Sequence, residues 1–159
     1  MSTPDDPLRR DDKAMVDGSP DLRDVEEIRV VAGVVRNRER AVLLQLRPAN
    51  TPSAGIWEFP GGKVNDGESD VQALQRELHE ELNIPFADDA YFTVLQPASR
   101  NGKYLVTVYA RSESIGQVTP QINQAIEWVY VRDLASFRKG RRFTPSTNAT
   151  MDELLRQLA

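Results

Sequence analysis

The chain has 159 residues and a mass of 17.9 kDa, with 40% hydrophobic and 28% charged residues. That is ordinary for one soluble domain and enough to bury a core without staples. It has no cysteine, which excludes disulfides, thiolate metal sites and a cysteine nucleophile. The net charge of −4 is uneven: residues 1–27 carry −5 and the remainder carries +1. A neutral domain gives no global case for nucleic-acid or membrane binding, so no stable nucleic-acid complex is expected and an anion site must be built locally.

Residues 1–26 hold many aspartates, three prolines among the first twenty residues, and few large apolar side chains. This composition predicts a flexible acidic tail ahead of a single folded domain over 27–159. Met1 to Asp6 is neither basic nor apolar, and no apolar run reaches the ~18 residues of a membrane helix. A cytoplasmic protein with no membrane partner, monomer or homodimer, is expected.

Ile28 to Val35 is short and β-branched and predicts a mostly buried strand. The polar turn Arg36–Arg40 leads to a second strand, Ala41–Arg47, as a hairpin. Pro48 to Gly55 is a loop; Trp57–Phe59 is a short extended piece closed by a turn at Pro60-Gly61-Gly62. Ser69 to Asn83 is the strongest helix. Ser69 and Gln72 have capping-box spacing, Val71, Leu74, Leu78 and Leu82 form one apolar stripe, and Asn83 with Pro85 ends it. Further strands are expected at 90–95, 103–111 and 127–131, with a turn at Asn101-Gly102. Helices are expected at 133–137 and 151–159. Strands with two interspersed helices point to an α/β or α+β sandwich.

The informative segment is 61–84. On a helical wheel with Glu77 at zero, Glu81 falls near 40° and Glu80 near 300°, at about 100° per residue. Three carboxylates thus share one face, flanking the leucine stripe. Like charges at three- and four-residue spacing cost roughly 0.2–0.5 kcal/mol per pair, and acids in the last turn oppose the helix dipole. A divalent cation relieves both. Clustered carboxylate oxygens suit Mg²⁺ or Mn²⁺, completed by water and substrate phosphate. Gly61 and Gly62 let backbone approach a ligand, and Lys63 offers a point charge to phosphate. Together these predict a metal-assisted site for a phosphate ester or anhydride; the competing reading is an exposed acidic helix after a tight turn.

These residues resemble the Nudix hydrolases, whose pattern G-x5-E-x7-R-E-U-x-E-E-x-G-U (U a bulky aliphatic residue) spans 23 positions. Here Gly62, Glu68, Arg76, Glu77, Leu78, Glu80, Glu81 and Ile84 fit it, and Asn83 replaces the final glycine. The resemblance implies an α/β/α sandwich around a mixed β-sheet. It implies metal binding by Glu77, Glu80, Glu81 and the Gly61 carbonyl. Arg76 and Glu68 then orient the catalytic helix, and Lys63 contacts phosphate.

Trp57 to Lys63 looks like the MutT-type subgroup, which cleaves nucleoside triphosphates, some of them oxidised such as 8-oxo-dGTP, to monophosphate and pyrophosphate. Arg47 matches a nucleotide-contacting arginine of that subgroup. Asn148 resembles an asparagine that reads an oxidised guanine, and it also fits a helix N-cap. Alternatives are a Nudix hydrolase of a nucleoside diphosphate derivative such as ADP-ribose, or a catalytically silent nucleotide-binding module. One departure concerns the base. MutT-type enzymes carry a glutamate in the loop before the strand that starts at Glu127, and here 119–125 has no acid. Gln121 or Gln124 could hold a water but could not take a proton; either a cation acidifies the water enough to need little help, or Glu77, where metal does not fully engage it, is the fallback base. Trp57, Phe59 and Tyr104 are either core or stacking residues. His79 falls near 200° on the wheel and faces solvent. Arg138 to Arg142 reads as a solvated basic turn.

Overall fold

The computed structural model describes residues 27–85, 92–121 and 124–158. The expected tail, 1–26, lies outside them. Among the described residues, eight strands form one mixed sheet: β1 (Ile28–Asn37), β2 (Val42–Leu46), β3 (Ile56–Glu58), β4 (Gly61–Lys63), β5 (Phe92–Asn101), β6 (Tyr104–Ile115), β7 (Ile126–Val129) and β8 (Arg142–Phe143). The main order is β5-β6-β1-β2-β3-β8, with β4 on β1 and β7 on β2. The β1–β6 and β3–β8 pairs are parallel and the other pairs antiparallel.

Helix α1 (Asp70–Leu82) covers one face of the sheet. On the other face lie α3 (Pro145–Leu158) and α2 (Leu134–Phe137), the latter entered through a 3₁₀ turn at Val131–Asp133. This is the expected α/β/α sandwich. Strand alternation sorts the side chains. Val31, Val35 and Leu43 meet Leu74, Leu78 and Leu82 of α1, whereas Val34, Val42 and Leu44 meet Leu134, Met151 and Leu154. Burying each of these leucines contributes about 1.5–3 kcal/mol. Helix α1 sits close because Gly33 has no Cβ, which would stand 3.1 Å from Leu74 Cδ1.

The capping box of α1 forms as expected: Gln72 N–H donates to Ser69 Oγ and Ser69 N–H to Gln72 Oε1. Asn83 ends the helix in the left-handed conformation, φ 52° and ψ 34°.

Three expectations need correction. Gly61–Gly62 is not a closing turn: with Lys63 it forms β4, paired to Val30–Ala32. The strand expected at 90–95, of which 90 and 91 lie outside the described residues, runs from Phe92 on to Asn101, because β6 supplies a partner for the polar residues that follow Leu95. The last helix starts at Pro145, six residues before Met151. Proline is favoured at the first helical position, and Thr144 Oγ1 accepts from Thr147 N–H as its cap. Asn148 therefore lies inside the helix and is not its N-cap.

Candidate active site

Strand β1 lends one edge to two partners: β4 takes Val30–Ala32, while β2 meets it only at Arg36–Val42. The two pairings draw apart, and a cavity of about 810 Å³ opens beside the divergence. It is lined by Arg47, Glu58, Gly61, Gly62 and Lys63, and by Gln96, Tyr104, Val106, Phe143 and the start of α3.

Arg76 ties α1 to the glycine strand. Its Nε donates to Glu68 Oε1 at 2.6 Å and its Nη2 to Glu68 Oε2 at 3.0 Å. Nη2 also donates to the Lys63 carbonyl at 3.0 Å, and Nη1 to Glu77 Oε1 at 2.9 Å. This paired fork holds the Glu68 carboxyl down to about 2, with help from the Asn65 N–H, and raises the Arg76 pKa in turn. The expected Arg76–Glu68 pair is thus present, and it also reaches Glu77.

Glu77 and Glu81 come together at the buried side of α1. A Cβ on Gly62 would fall 2.4 Å from the Glu77 carboxyl carbon, so the bare glycine makes room for this acid. Burial raises the Glu77 pKa against the pull of Arg76. Glu81 is deeper. Burial pushes it up to about 8, and the Glu77 and Glu58 charges add to this. Gln45 Nε2, which donates to Glu81 Oε2 at 3.3 Å, and the Gly61 N–H oppose the shift. Glu80 stands at the rim with its side chain 57% exposed, 3.5 Å from Arg76. Among the described residues, no three Asp, Glu or His side chains already share one coordination sphere.

A divalent cation fits this corner by the chemistry of its donors. Two carboxylates lie in a poorly solvated place that disfavours their charge, and one lysine and one arginine face the adjoining cavity. A hard cation supplies the missing positive charge.

Lys63 and Arg47 both line the cavity, and Arg47 Nη2 donates to Glu58 Oε2 at 3.0 Å. Asn148 is not among the lining residues; its Oδ1 accepts from Arg138 Nη2 at 3.1 Å. Phe59 is buried in the core although it borders the cavity, and Trp57 packs edge-on against Phe137 at 5.3 Å as part of the core. Tyr104 does line the cavity. His79 is exposed, as expected. Gln121 is exposed with its amide on the Thr119 carbonyl, while its N–H donates to the Glu81 carbonyl at 2.8 Å.

Sequence reasoning missed Gln45 and Glu58. Gln45 is 1% exposed on β2, with Oε1 lacking a partner. Strand parity places it on the α1 face with Leu43, a signal present in the sequence. Glu58 pairs in register with Gln45.

The pattern of the NUDIX domain family matches residues 27–149, most of the chain. The chain belongs to the Nudix family. Nudix relatives that it resembles include an 8-oxo-dGTP diphosphatase of Proteus vulgaris, 41% identical over 63 residues, which are 40% of this chain and 56% of that protein. A CTP pyrophosphohydrolase of Escherichia coli K12 is 54% identical over 57 residues, 36% of this chain and 42% of that protein. The chain thus spans about half the length of these curated relatives. A solved MutT structure, from work on the Aliivibrio salmonicida and Vibrio cholerae proteins, superimposes with a TM-score of 0.70 at 29% identity. That superposition covers 83% of this chain and 99% of the MutT chain. Among the described residues no helix is long and apolar enough to cross a membrane.

Proposed function

We propose that this Nudix protein hydrolyses nucleoside or deoxynucleoside triphosphates, oxidised ones such as 8-oxo-dGTP included, to monophosphate and pyrophosphate. The observation that carries the reading is the cavity itself. Its lining combines the cations Arg47 and Lys63 with the aromatic Tyr104 and Phe143, and it includes Gly62, which abuts Glu77 of α1. A polyphosphate suits the cations and a flat base the aromatic rings. The names of the relatives support the same substrate class.

Glu77, Glu80, Glu81 and the Gly61 carbonyl would hold Mg²⁺ or Mn²⁺. The cation, when bound, supplies positive charge against the phosphate chain and acidifies water. Lys63 and Arg47 hold phosphate oxygens and orient the chain for in-line attack. Arg76 and Glu68 fix the angle between α1 and β4, so the acids and glycines keep their spacing. Arg76 holds Glu77 Oε1, and Glu77 Oε2 receives the proton of the attacking water.

The test is Mg²⁺-dependent release of pyrophosphate, against orthophosphate, from 8-oxo-dGTP, dGTP, CTP, dCTP and ADP-ribose. Glu80→Gln and Glu81→Gln should each lose about a hundredfold or more in kcat. Undiminished pyrophosphate release by both variants overturns the metal-helix reading. Cleavage of ADP-ribose alone moves the protein to the diphosphate-derivative class.

A further inference from the structure

We infer that Gln96 is the specificity-determining residue that reads the nucleobase, with Thr150 holding its amide in place from behind. The inference rests on the nucleotide reading above and deepens it.

Gln96 carries the only side-chain amide among the described residues that line the cavity. It stands on β5, whose partner β6 brings Tyr104 to the same cavity, while Lys63 lines it from β4 and Arg47 from just beyond β2. Its neighbour from behind is Thr150 of α3, which is fully buried. Thr150 Oγ1 donates to Gln96 Oε1 at 2.7 Å and lies 2.8 Å from the Ser146 carbonyl. Thr150 is buried on α3, so the glutamine is held by a group that cannot swing away. A side chain already ordered in this way loses little further entropy when a ligand binds.

With Thr150 on Oε1, the Nε2 hydrogens are the part of the amide left to meet a ligand in the cavity that Gln96 lines. These are donors, and they suit a base edge with acceptors: O6 and N7 of a guanine, or O2 and N3 of a cytosine. Asn148, two residues before Thr150, does not compete for this role: it is not among the lining residues, and its oxygen accepts from Arg138. The polar positions Ser99 and Ser146 line the same cavity. They are short hydroxyls that can donate or accept, so they discriminate less than an oriented amide.

The experiment compares the full-length wild type with Gln96→Ala, Gln96→Glu, Thr150→Val and Thr150→Ser. Two readouts are taken across guanine, cytosine, adenine and uracil nucleotides. The first is kcat/KM for the triphosphates. The second is the Kd of their α,β-methylene analogues, which needs no turnover. Gln96→Ala should lower kcat/KM and affinity about tenfold or more for the preferred base and leave the others within about twofold. Gln96→Glu, which replaces a donor by an acceptor, should invert the order toward bases presenting an amino group. Thr150→Val should flatten the preference and Thr150→Ser should restore it. A uniform loss over all four bases in Gln96→Ala, or unchanged ratios, overturns the inference. Base-selective analogue binding by a wild type that hydrolyses none of the triphosphates would sink the hydrolase reading and leave this one standing. Failure of the wild type to bind any analogue overturns both.

Discussion

Replacing Gly61 and Gly62 by alanine, one at a time, adds the same carbon to adjacent residues of β4 and meets opposite surroundings. At Gly61 the new Cβ falls 2.0 Å from the Val31 carbonyl oxygen and 2.7 Å from Ala32 Cα. Both are backbone atoms of β1, and they give way only if β4 leaves its pairing with Val30–Ala32. Overpacking a core usually costs about 1–3 kcal/mol, and a clash with backbone belongs at or above the upper end. For a chain of this size about 3 kcal/mol lowers Tm by roughly 6–12 °C. At Gly62 the Cβ meets the Glu77 carboxyl, 2.4 Å from Cδ and Oε1 and 2.7 Å from Oε2. That is the far end of a flexible side chain, which can swing aside at a cost of about 1 kcal/mol. The fold survives, but Glu77 is driven off Arg76 and away from Glu81. Gly62→Ala should therefore melt within about 4 °C of the wild type and lose about a hundredfold in kcat. Thermal unfolding by circular dichroism and pyrophosphate release at saturating Mg²⁺ measure the two effects. A Gly61→Ala protein that melts with the wild type, or a Gly62→Ala protein with full kcat, would refute the reasoning.

Glu81 makes stability depend on pH in the direction opposite to a salt-bridged acid. Burial first, then Glu77 and Glu58, raise its carboxyl to about 8 from 4.5, so the folded chain keeps a proton that the unfolded chain has released. Its contribution is intact below about 4.5 and is lost as pH rises toward about 8. Glu81→Gln should consequently gain in Tm over the metal-free wild type from pH 5 to pH 8, and added Mg²⁺ should close that gap at pH 8 by stabilising only the wild type. A Tm difference independent of pH, in melts taken with EDTA, would count against the buried placement. At the helix end, Asn83→Ala puts an ordinary side chain at φ 52° and should cost about 1–2 kcal/mol in urea unfolding, while Asn83→Gly should match or exceed the wild type. Equal midpoints for the alanine and glycine variants would contradict the left-handed cap.

Helix α1 was legible in the sequence because everything that makes it is local. Its cap, its stripe and its terminator lie within seventeen residues, and the acids sit at fixed angles to the stripe. The sandwich was legible for a related reason, since alternation in β1 and β2 decides which side chains face α1 and which face α3. The start of α3 was not. Pro145 to Thr150 carries no apolar stripe, and its inward positions are filled by Thr147 and Thr150, whose hydroxyls are satisfied within the helix or by Gln96. Hydrophobic periodicity is blind to a helix turn buried by threonines. The error then propagated to the site. A helix starting near Met151 leaves Asn148 as a cap with its amide available for a base. A start at Pro145 turns it toward Arg138. The same limit hid Gln96, since nothing in Gln96 to Asn101 alternates, and the strand continues only because β6 pairs with it. Glu77 and Glu81 divide along this line as well. Their common helix face follows from spacing, but their unequal burial comes from what packs opposite, Gly62 against one and Gln45 with Gly61 against the other. Chemistry written on one helix can be read from one segment. Chemistry shared between that helix and a distant strand becomes visible only when the sheet is assembled.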